Sequence, residues 1–543
     1  MVLDSRLQDA ANVLRRDVAI MTTAAKSGHP TSCFSCAEIM STLFFDQMNY
    51  DIKNPNNPNN DEFILSKGHA APILYTSLFR AGCIKNNLNT LRKLSSPLEG
   101  HPTPSLKWIK VATGSLGQGL SIGLGFALTA KLQKRNFKTY VLLGDSELAE
   151  GSIYEALQLA SYYKLHNLIA IADINRLGQR GETMLGHKIR DYKKRFKSFG
   201  WYVITINGHK IHEIKRSIER AKVSYKPTII LAKTYKGKGV DFLEDKENWH
   251  GKALNEIQLM QALSEIPNPN FPKLKIKTPS NKNYNPKKSK IKYTKYKLGE
   301  EVATREAYGK ILASLTFSNQ NIIALDGEVS NSTRSEEVKK VKPKQFIESF
   351  IAEQNMIGMA LGLSKKGFNV FSSTFSSFLT RAHDQIRMSA LSSANFTIVG
   401  SHSGVSIGED GASQMGLEDI ALFRALPNSI IFYPSDAVST EKLTVLSSKL
   451  NGIKYIRTTR PKTLILYKPS DNFPLGDFKI LKQSNKDKAV LVGSGITVHE
   501  ALKAYNKLKE KNINVAVIDL YCIKPLNYKK FENFVKKHGK RVI

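Results

Sequence analysis

The sequence predicts an α/β protein with two parallel-sheet domains and a smaller third α/β domain. Three observations lead there. Short apolar runs that read as buried strands alternate with helical patterns along most of the chain. A stretch without acidic residues separates the first such region from the second, and the alternation resumes near the C-terminus. At 543 residues the chain exceeds one ordinary core, so two to four domains are expected.

Residues 1 to about 262 make the first region. Its opening, MVLDSRLQDAANVLRRDV, places apolar residues at helical spacing and lacks the basic start and apolar block of a signal peptide, which argues against export. TYVLLG and NLIAIADI read as buried strands with the helix SIYEALQLASYYKL between them. Residues 263–299 read as a linker lying over a surface: from Ile266 to Gly299 there is no Asp or Glu, but many Pro, Asn and Lys. The second region, 300–470, carries the strands NIIALDG, FNVFSSTF, FTIVGS and SIIFYPS. The third, 477–543, runs KAVLVGSG, a helix at VHEALKAYNKLKEK and the strand INVAVIDL. Its last residues, GKRVI, look like the opening of another strand, so this domain is expected to be truncated.

Composition narrows the class. A hydrophobic content of 41% suits globular folding, and no apolar run is long enough to span a bilayer. Four cysteines fit a reducing cytoplasm and no disulfide framework. Cys33 and Cys36 form a lone C-x-x-C without a second pair at ligand spacing, so small half-buried thiols are expected rather than zinc ligands. The formal charge of +33 is spread through the chain, often beside asparagine, with no nucleic-acid motif. Biased composition on solvated faces accounts for this first, with attraction of phosphosugars second to it, and neither a nucleic acid nor a membrane partner is expected.

The sharpest chemistry lies between Asp145 and Asn175. Parallel strands joined by one helix bring their C-terminal ends to one sheet edge, where α/β ligands bind. VLLGDSELAEG presents Asp145 after the first strand, and IADINRLGQ presents Asn175 thirty positions later. With the backbone carbonyl of Leu177 they offer three oxygen ligands; two phosphate oxygens and a water complete the octahedron magnesium prefers.

The joint pattern of G-D, E-G, the N-L-I strand and N-R-L-G-Q resembles the thiamine-diphosphate-binding motif. SGHPTS, LSKGHAAPILY, GHPTP, ATGSLGQGL, KGKG with KENWHGK, ATREAYG, IAEQNM, STFSSFLTRAHDQIR, GVSIGEDGASQ and RTTRP follow in the order found in transketolase. The resemblance spans essentially the whole chain. It implies the thiamine-diphosphate-binding fold, thiamine diphosphate with Mg2+ (Ca2+ or Mn2+ as substitutes), and a homodimer whose active sites lie at the subunit interface. The implied reaction moves a two-carbon ketol unit between sugar phosphates in the non-oxidative pentose phosphate pathway.

Roles follow residue by residue from that resemblance. Glu353 hydrogen-bonds the aminopyrimidine and needs a pKa raised by burial; read locally, it is a first-turn helix acid. Phe375 and Phe378 form an aromatic wall against the pyrimidine and Gln414 its polar contact. His29, His69, His101 and His250, all in Gly/Pro-flanked turns, cluster around the sugar hydroxyls and carbonyl and relay protons, because imidazole titrates near neutral pH. A zinc cluster is the rival for these four, without metal-type spacing in its favour. Ser32, Gly114, Ser115, Leu116, Ser146, Gln179 and Lys236 bind the cofactor along with His69 and His250. Arg305, Ser332, His402 and Arg460 clamp the sugar phosphate, with Asp410 on the donor hydroxyl and His29 and His250 also at the substrate. Glu150 and Glu155 match glutamates that meet their symmetry mates between two active sites; helix-N-terminal acids are the equal alternative.

The chain departs from the family at Ser146, where glycine is usual in G-D-G. Serine keeps the amide and adds a hydroxyl, so weaker cofactor binding is one expectation. The readings to be separated are transketolase, a relative such as deoxyxylulose-phosphate synthase, and a weakly active binding protein. The SGHPTS and WHG histidines and RTTRP favour ketol transfer.

Overall fold

Thr139–Gly144 (β2) and Leu168–Ile174 (β3) are buried along their whole length, as strands apolar on both faces must be in a covered parallel sheet. They are the centre of a five-stranded sheet with β1 (Glu62–Leu65), β4 (Tyr202–Asn207) and β5 (Thr228–Lys233), in the order β1-β2-β3-β5-β4. Every neighbouring pair is parallel. The helix Gly151–Tyr162 makes the crossover from β2 to β3. The register sets Gly144 opposite Asp173, so the chain leaves both strands on one sheet edge. On one face the helix Gly119–Leu132 lies so close that a Cβ on Gly123 would stand 2.6 Å from Val141.

The computed structural model describes residues 2–543 and divides the chain into two units, Met1–Tyr284 and Asn285–Ile543. The second unit holds a seven-stranded sheet of β7 (Ile322–Asp326), β8 (Phe346–Glu348), β9 (Asn369–Phe375), β10 (Phe396–Ser401), β11 (Ile430–Phe432), β12 (Ile453–Arg457) and β17 (Cys522–Lys524), ordered β17-β11-β12-β10-β9-β7-β8. A pair, β6 (Glu301–Ala303) with β13 (Lys462–Leu464), is antiparallel. A smaller sheet orders β14 (Lys479–Lys482), β16 (Ala516–Asp519) and β15 (Val490–Gly493) as β14-β16-β15.

Besides the β6–β13 pair, two strands depart from the parallel expectation. β17 runs antiparallel to β11, and β14 antiparallel to β16. Both are short edge strands, which need no crossover helix to reach their neighbours. The C-terminal residues pair beside β15: Val492 N–H donates to Ile543 O at 2.8 Å and Ile543 N–H to Val490 O at 3.0 Å. Residues 267–299 contain no helix and only isolated bridges. Tyr50 N–H donates to Lys277 O at 2.8 Å in the first unit, and Ser289 N–H to Ser318 O at 2.7 Å in the second. The segment is therefore tied down by its backbone on both sides of the boundary between units. Cys33, Cys36 and Cys522 are fully buried rather than half-buried, and burial pushes the Cys36 thiol up to about 12. No helix among the described residues is long and apolar enough to cross a membrane.

Candidate functional site

At the C-terminal edge of β2 and β3 a cavity of about 210 Å³ opens, lined by Ser32, Lys67, His69, Leu116, Asp145, Ser146, Asn175, Leu177, Gln179, Lys236 and His250 among others. Asp145 joins the two strand ends: one carboxylate oxygen accepts the Ser146 amide at 2.9 Å and the other the Arg176 amide at 2.7 Å. Asn175 accepts the Leu177 amide at 3.2 Å, and the Leu177 carbonyl accepts from Lys236 Nζ at 2.8 Å. Asp145, Asn175 and Leu177 thus converge in a single turn region. Burial, reinforced by Asp173, raises the Asp145 carboxyl to about 6. Such a group gains from a cation beside it.

Beneath the cavity lies a charged layer that the sequence reading missed. Lys67 and Asp173, 1% and 0% exposed, form an ion pair. Lys67 Nζ also donates to the Ser32 carbonyl at 3.0 Å, while Asp173 accepts from Ser35 Oγ at 2.6 Å and from Thr234. Asn175 Nδ2 reaches Asp173 at 3.4 Å, which turns the amide oxygen the other way. Glu147 is the second buried carboxylate. It accepts from Ser66, from the Gly117 amide at 2.8 Å and from the Gly144 amide at 3.1 Å, tying the glycine-rich turn to the end of β2. Lys67 stands inside LSKGH and Glu147 inside GDSELAEG, so the motifs held these residues; only their burial was hidden.

The four histidines do cluster. Ring centroids of His29 lie 5.2 Å from His69, 5.0 Å from His250 and 6.4 Å from His101. Their expected titration near neutral pH is not what the surroundings give. Burial, with His250 and Arg92 following, lowers His29 to about 3, and burial with Lys236 lowers His250 to about 4. His69 and His101 are also lowered, chiefly by burial. The cluster is neutral at pH 7, and its rings act as hydrogen-bonding groups rather than cations.

Gly114 has φ +127° and a Cβ there would meet His101 Cδ2 at 2.7 Å, so the backbone conformation and the neighbouring histidine both require glycine. Ser115 and Leu116 follow in the same turn, half-buried. Ser146 opens a short 3-10 helix, Ser146–Ala149, and is absent from the positive-φ positions, so serine stands there without backbone strain. Gln179 is exposed. Glu150 is the N-cap of Gly151–Tyr162 without a side-chain cap bond, and Glu155 lies one turn further in.

In the second unit Glu353 opens the helix Glu353–Lys365 and is 5% exposed. Phe375, at the end of β9, stacks on Phe378 at 5.0 Å and on His402 at 4.1 Å. The phenylalanines form one stack in which Phe378 is only half-buried. Gln414 sits half-buried in the 3-10 turn Ala412–Gln414. Arg305 donates to the Ser332 carbonyl at 3.1 Å and to His402 Nε2 at 3.3 Å, while its Nε is buried without a partner. Burial and the cations Arg334 and Arg460 lower Arg305 from the usual guanidinium range. Arg460 meets Glu409 at 2.8 Å and Asp410 at 3.3 Å. Converging arginines with a spare buried donor are chemistry for an anion.

Family models for the thiamine diphosphate binding domain, the pyrimidine binding domain and the C-terminal domain of transketolase match residues 5–303, 300–464 and 476–543. The chain belongs to the transketolase family. Transketolase of Homo sapiens is 49% identical over 96% of this chain and 85% of that protein. Transketolase-like protein 2 of Mus musculus is 48% identical over 99% of this chain and 87% of its own length. The solved transketolase of Campylobacter jejuni superposes with a TM-score of 0.89 at 29% identity, covering 98% of this chain and 91% of that one. A Pichia stipitis transketolase solved with sedoheptulose 7-phosphate gives 0.85 at 25% identity, covering 97% and 89%.

The first-unit cavity of this transketolase-family chain fits a thiamine diphosphate. Ser32 Oγ, which lines it, and His29 Nδ1 beside it are buried without hydrogen-bond partners, and a native fold rarely leaves such groups unpaired. Lys236 lines the same cavity, and Lys67, whose ammonium is paired with Asp173 beneath it, adds a second cation close by. Burial and the neighbouring Lys67 lower Lys236 to about 8, a repulsion that an incoming diphosphate relieves.

Proposed function

We propose that this chain is an active thiamine-diphosphate-dependent transketolase, transferring a two-carbon ketol unit reversibly from xylulose 5-phosphate to ribose 5-phosphate or erythrose 4-phosphate in the non-oxidative pentose phosphate pathway. The observation that carries this reading is the first-unit cavity, where oxygen ligands, two ammonium groups and unpaired buried donors surround one space at the ends of β2 and β3. Mg2+, with Ca2+ or Mn2+ as substitutes, suits Asp145, Asn175 and the Leu177 carbonyl, because the donor set is all oxygen.

When bound, thiamine diphosphate supplies the nucleophilic carbon and the electron sink for C–C cleavage and formation. The chain's own residues bind and orient. Ser32, His69, Ser146, Gln179 and the backbone of Gly114, Ser115 and Leu116 hold the diphosphate end. Glu353, Gln414 and the Phe375–Phe378 stack hold the pyrimidine. His29, His69, His101 and His250 accept and donate protons at sugar hydroxyls as neutral rings. Arg305, Ser332, His402 and Arg460 clamp the phosphate, and Asp410 reads the donor hydroxyl.

A homodimer accompanies this reading, with the first unit of one subunit and the second unit of its partner sharing a centre and Glu150 and Glu155 near the symmetry axis. Ile351 is 78% exposed two residues from Glu353, and Val405 and Leu417 are 66% and 60% exposed near Asp410 and Gln414. Exposed apolar residues next to site residues support burial by a second copy. A coupled assay with xylulose 5-phosphate and ribose 5-phosphate, with and without thiamine diphosphate and Mg2+, tests the proposal. Product that depends on the cofactor is expected; its absence would return the chain to the binding-protein reading.

A further inference from the structure

At the opposite end of the first-unit sheet from the cofactor cavity, Lys131, Lys134, Arg135, Lys138 and Lys282 line a second pocket of about 430 Å³. The chain reaches it from three separate places: the end of the helix Gly119–Leu132 with the loop into β2, the loop before β3 at His166 and Asn167, and the segment around Lys282. No carboxylate lines it, and none of the five cations has a salt bridge among the described residues. In a chain with 47 acidic residues, five cations around one concavity with no salt bridge among them form a built electrostatic feature.

The local backbone removes the groups that would repel an anion. A helix C-terminus ordinarily presents free carbonyls. Here Gln133 N–H donates to Thr129 O at 2.9 Å, Lys134 N–H to Lys131 O at 3.2 Å and Arg135 N–H to Ala130 O at 2.8 Å. Lys134 takes φ +53° to close this turn, a conformation in which glycine is the usual residue, yet a cationic side chain stands at the position. The adjoining carboxylate, Asp61, does not line the pocket; it accepts the backbone amides of Lys138 at 2.7 Å and Asn49 at 2.9 Å and offsets part of the charge of Lys138. The cations meanwhile satisfy themselves with neutral oxygens: Lys131 on the Tyr163 carbonyl at 2.7 Å, Lys138 on the Lys222 carbonyl at 3.1 Å and Lys282 on Asn136 at 3.2 Å. Burial holds Lys131, Arg135 and Lys138 below their usual ranges, a cost that an anion would offset.

We propose that this pocket binds a small polyanion carrying two or more linked phosphoryl groups, separately from the diphosphate of the cofactor. A single phosphate could engage only two or three of the cations, whereas linked phosphoryl groups reach across the pocket. No Phe, Tyr or Trp lines it, and His166 is its single ring, so it lacks the run of stacking platforms a nucleic acid strand needs.

Titration calorimetry of inorganic triphosphate into the full-length protein, with thiamine diphosphate and Mg2+ saturating, tests the site. One saturable equivalent per chain is expected, with inorganic orthophosphate at least tenfold weaker. ATP measured alongside separates a nucleotide source, which would bind tighter than triphosphate, from a free polyphosphate, which would not. The variant Lys131→Gln/Lys134→Gln/Lys282→Gln should weaken triphosphate at least tenfold, while Lys511→Gln/Lys529→Gln/Lys537→Gln, with the same loss of charge on exposed lysines, should stay within twofold. Equal weakening in both variants, loss of binding when thiamine diphosphate saturates, or saturation by a single-stranded oligonucleotide but not by triphosphate would each overturn the proposal.

Discussion

Replacing Lys67 with methionine removes one half of a fully buried ion pair and keeps the side-chain volume. Asp173 would remain 0% exposed, with Ser35 Oγ and Thr234 Oγ1 as its remaining short contacts. Breaking a buried pair on one side costs about 3–5 kcal/mol, mostly as the penalty of an unpaired charge. The loss has a sign in pH. In the native protein burial opposes ionisation of Asp173, but Lys67 and the hydrogen bonds from Lys67, Ser35 and Thr234 outweigh it and hold the carboxyl below its usual range. Its stabilisation is therefore present above about pH 4 and is lost as pH falls through the lower native value. Without Lys67 burial raises the same carboxyl, which relieves itself by taking up a proton. The deficit of Lys67→Met should be largest at pH 8 and shrink towards pH 5. Urea unfolding read by hydrogen exchange at the β3 amides would isolate the first unit from the second. The double variant Lys67→Met/Asp173→Asn should recover much of the loss. A single variant as stable as the native chain at pH 8, or a deficit that does not change with pH, would refute the reasoning.

Asp145→Ala should remove Mg2+-dependent binding of thiamine diphosphate in calorimetry, and an unchanged affinity would mean the ligand set is misplaced. Glu353→Ala should leave diphosphate binding within a few-fold while transfer falls by orders of magnitude; undiminished turnover would sink its assignment to the pyrimidine. Burial raises Asp519 to about 7, so its contribution to stability is full below about pH 4 and is lost as pH rises through 7. Asp519→Asn keeps an oxygen for Ser435 and Tyr467 and should raise stability at pH 8 by roughly 2–4 kcal/mol, with little gain at pH 5, measured by urea midpoints.

The centre of the first-unit sheet was legible because β2 and β3 are short, apolar on both faces and followed at once by polar turns, as strands of a covered parallel sheet are; β1, β4 and β5 were not read. The Asp145 and Asn175 turns were legible for the same reason, since position at a strand end needs only the strand to be found. Lys67, Glu147 and Asp173 were not, because a charged residue in sequence looks like a solvated one until its partner is known. Lys67 finds Asp173 across 106 positions, a distance at which periodicity carries no signal. The histidine cluster was found, but the imidazole reference value assumes water, and partial burial beside lysines lowers these rings. The antiparallel edges β14 and β17 escaped because short edge strands are set by tertiary contact, whereas pattern distinguishes buried strands from helices and says little about direction.

The contact between Lys236 Nζ and His250 Nδ1, at 2.9 Å, has a consequence for the direction of proton flow. With Lys236 lowered only to about 8, the group is mostly an ammonium at pH 7 and can only donate. His250, neutral there, must accept at Nδ1 and therefore carries its own proton on Nε2. One lysine thus fixes the polarity of a ring that would otherwise choose freely between two tautomers. A proton given up from Nε2 is replaced at Nδ1 by one from Lys236, so a relay through this ring runs from the lysine outward.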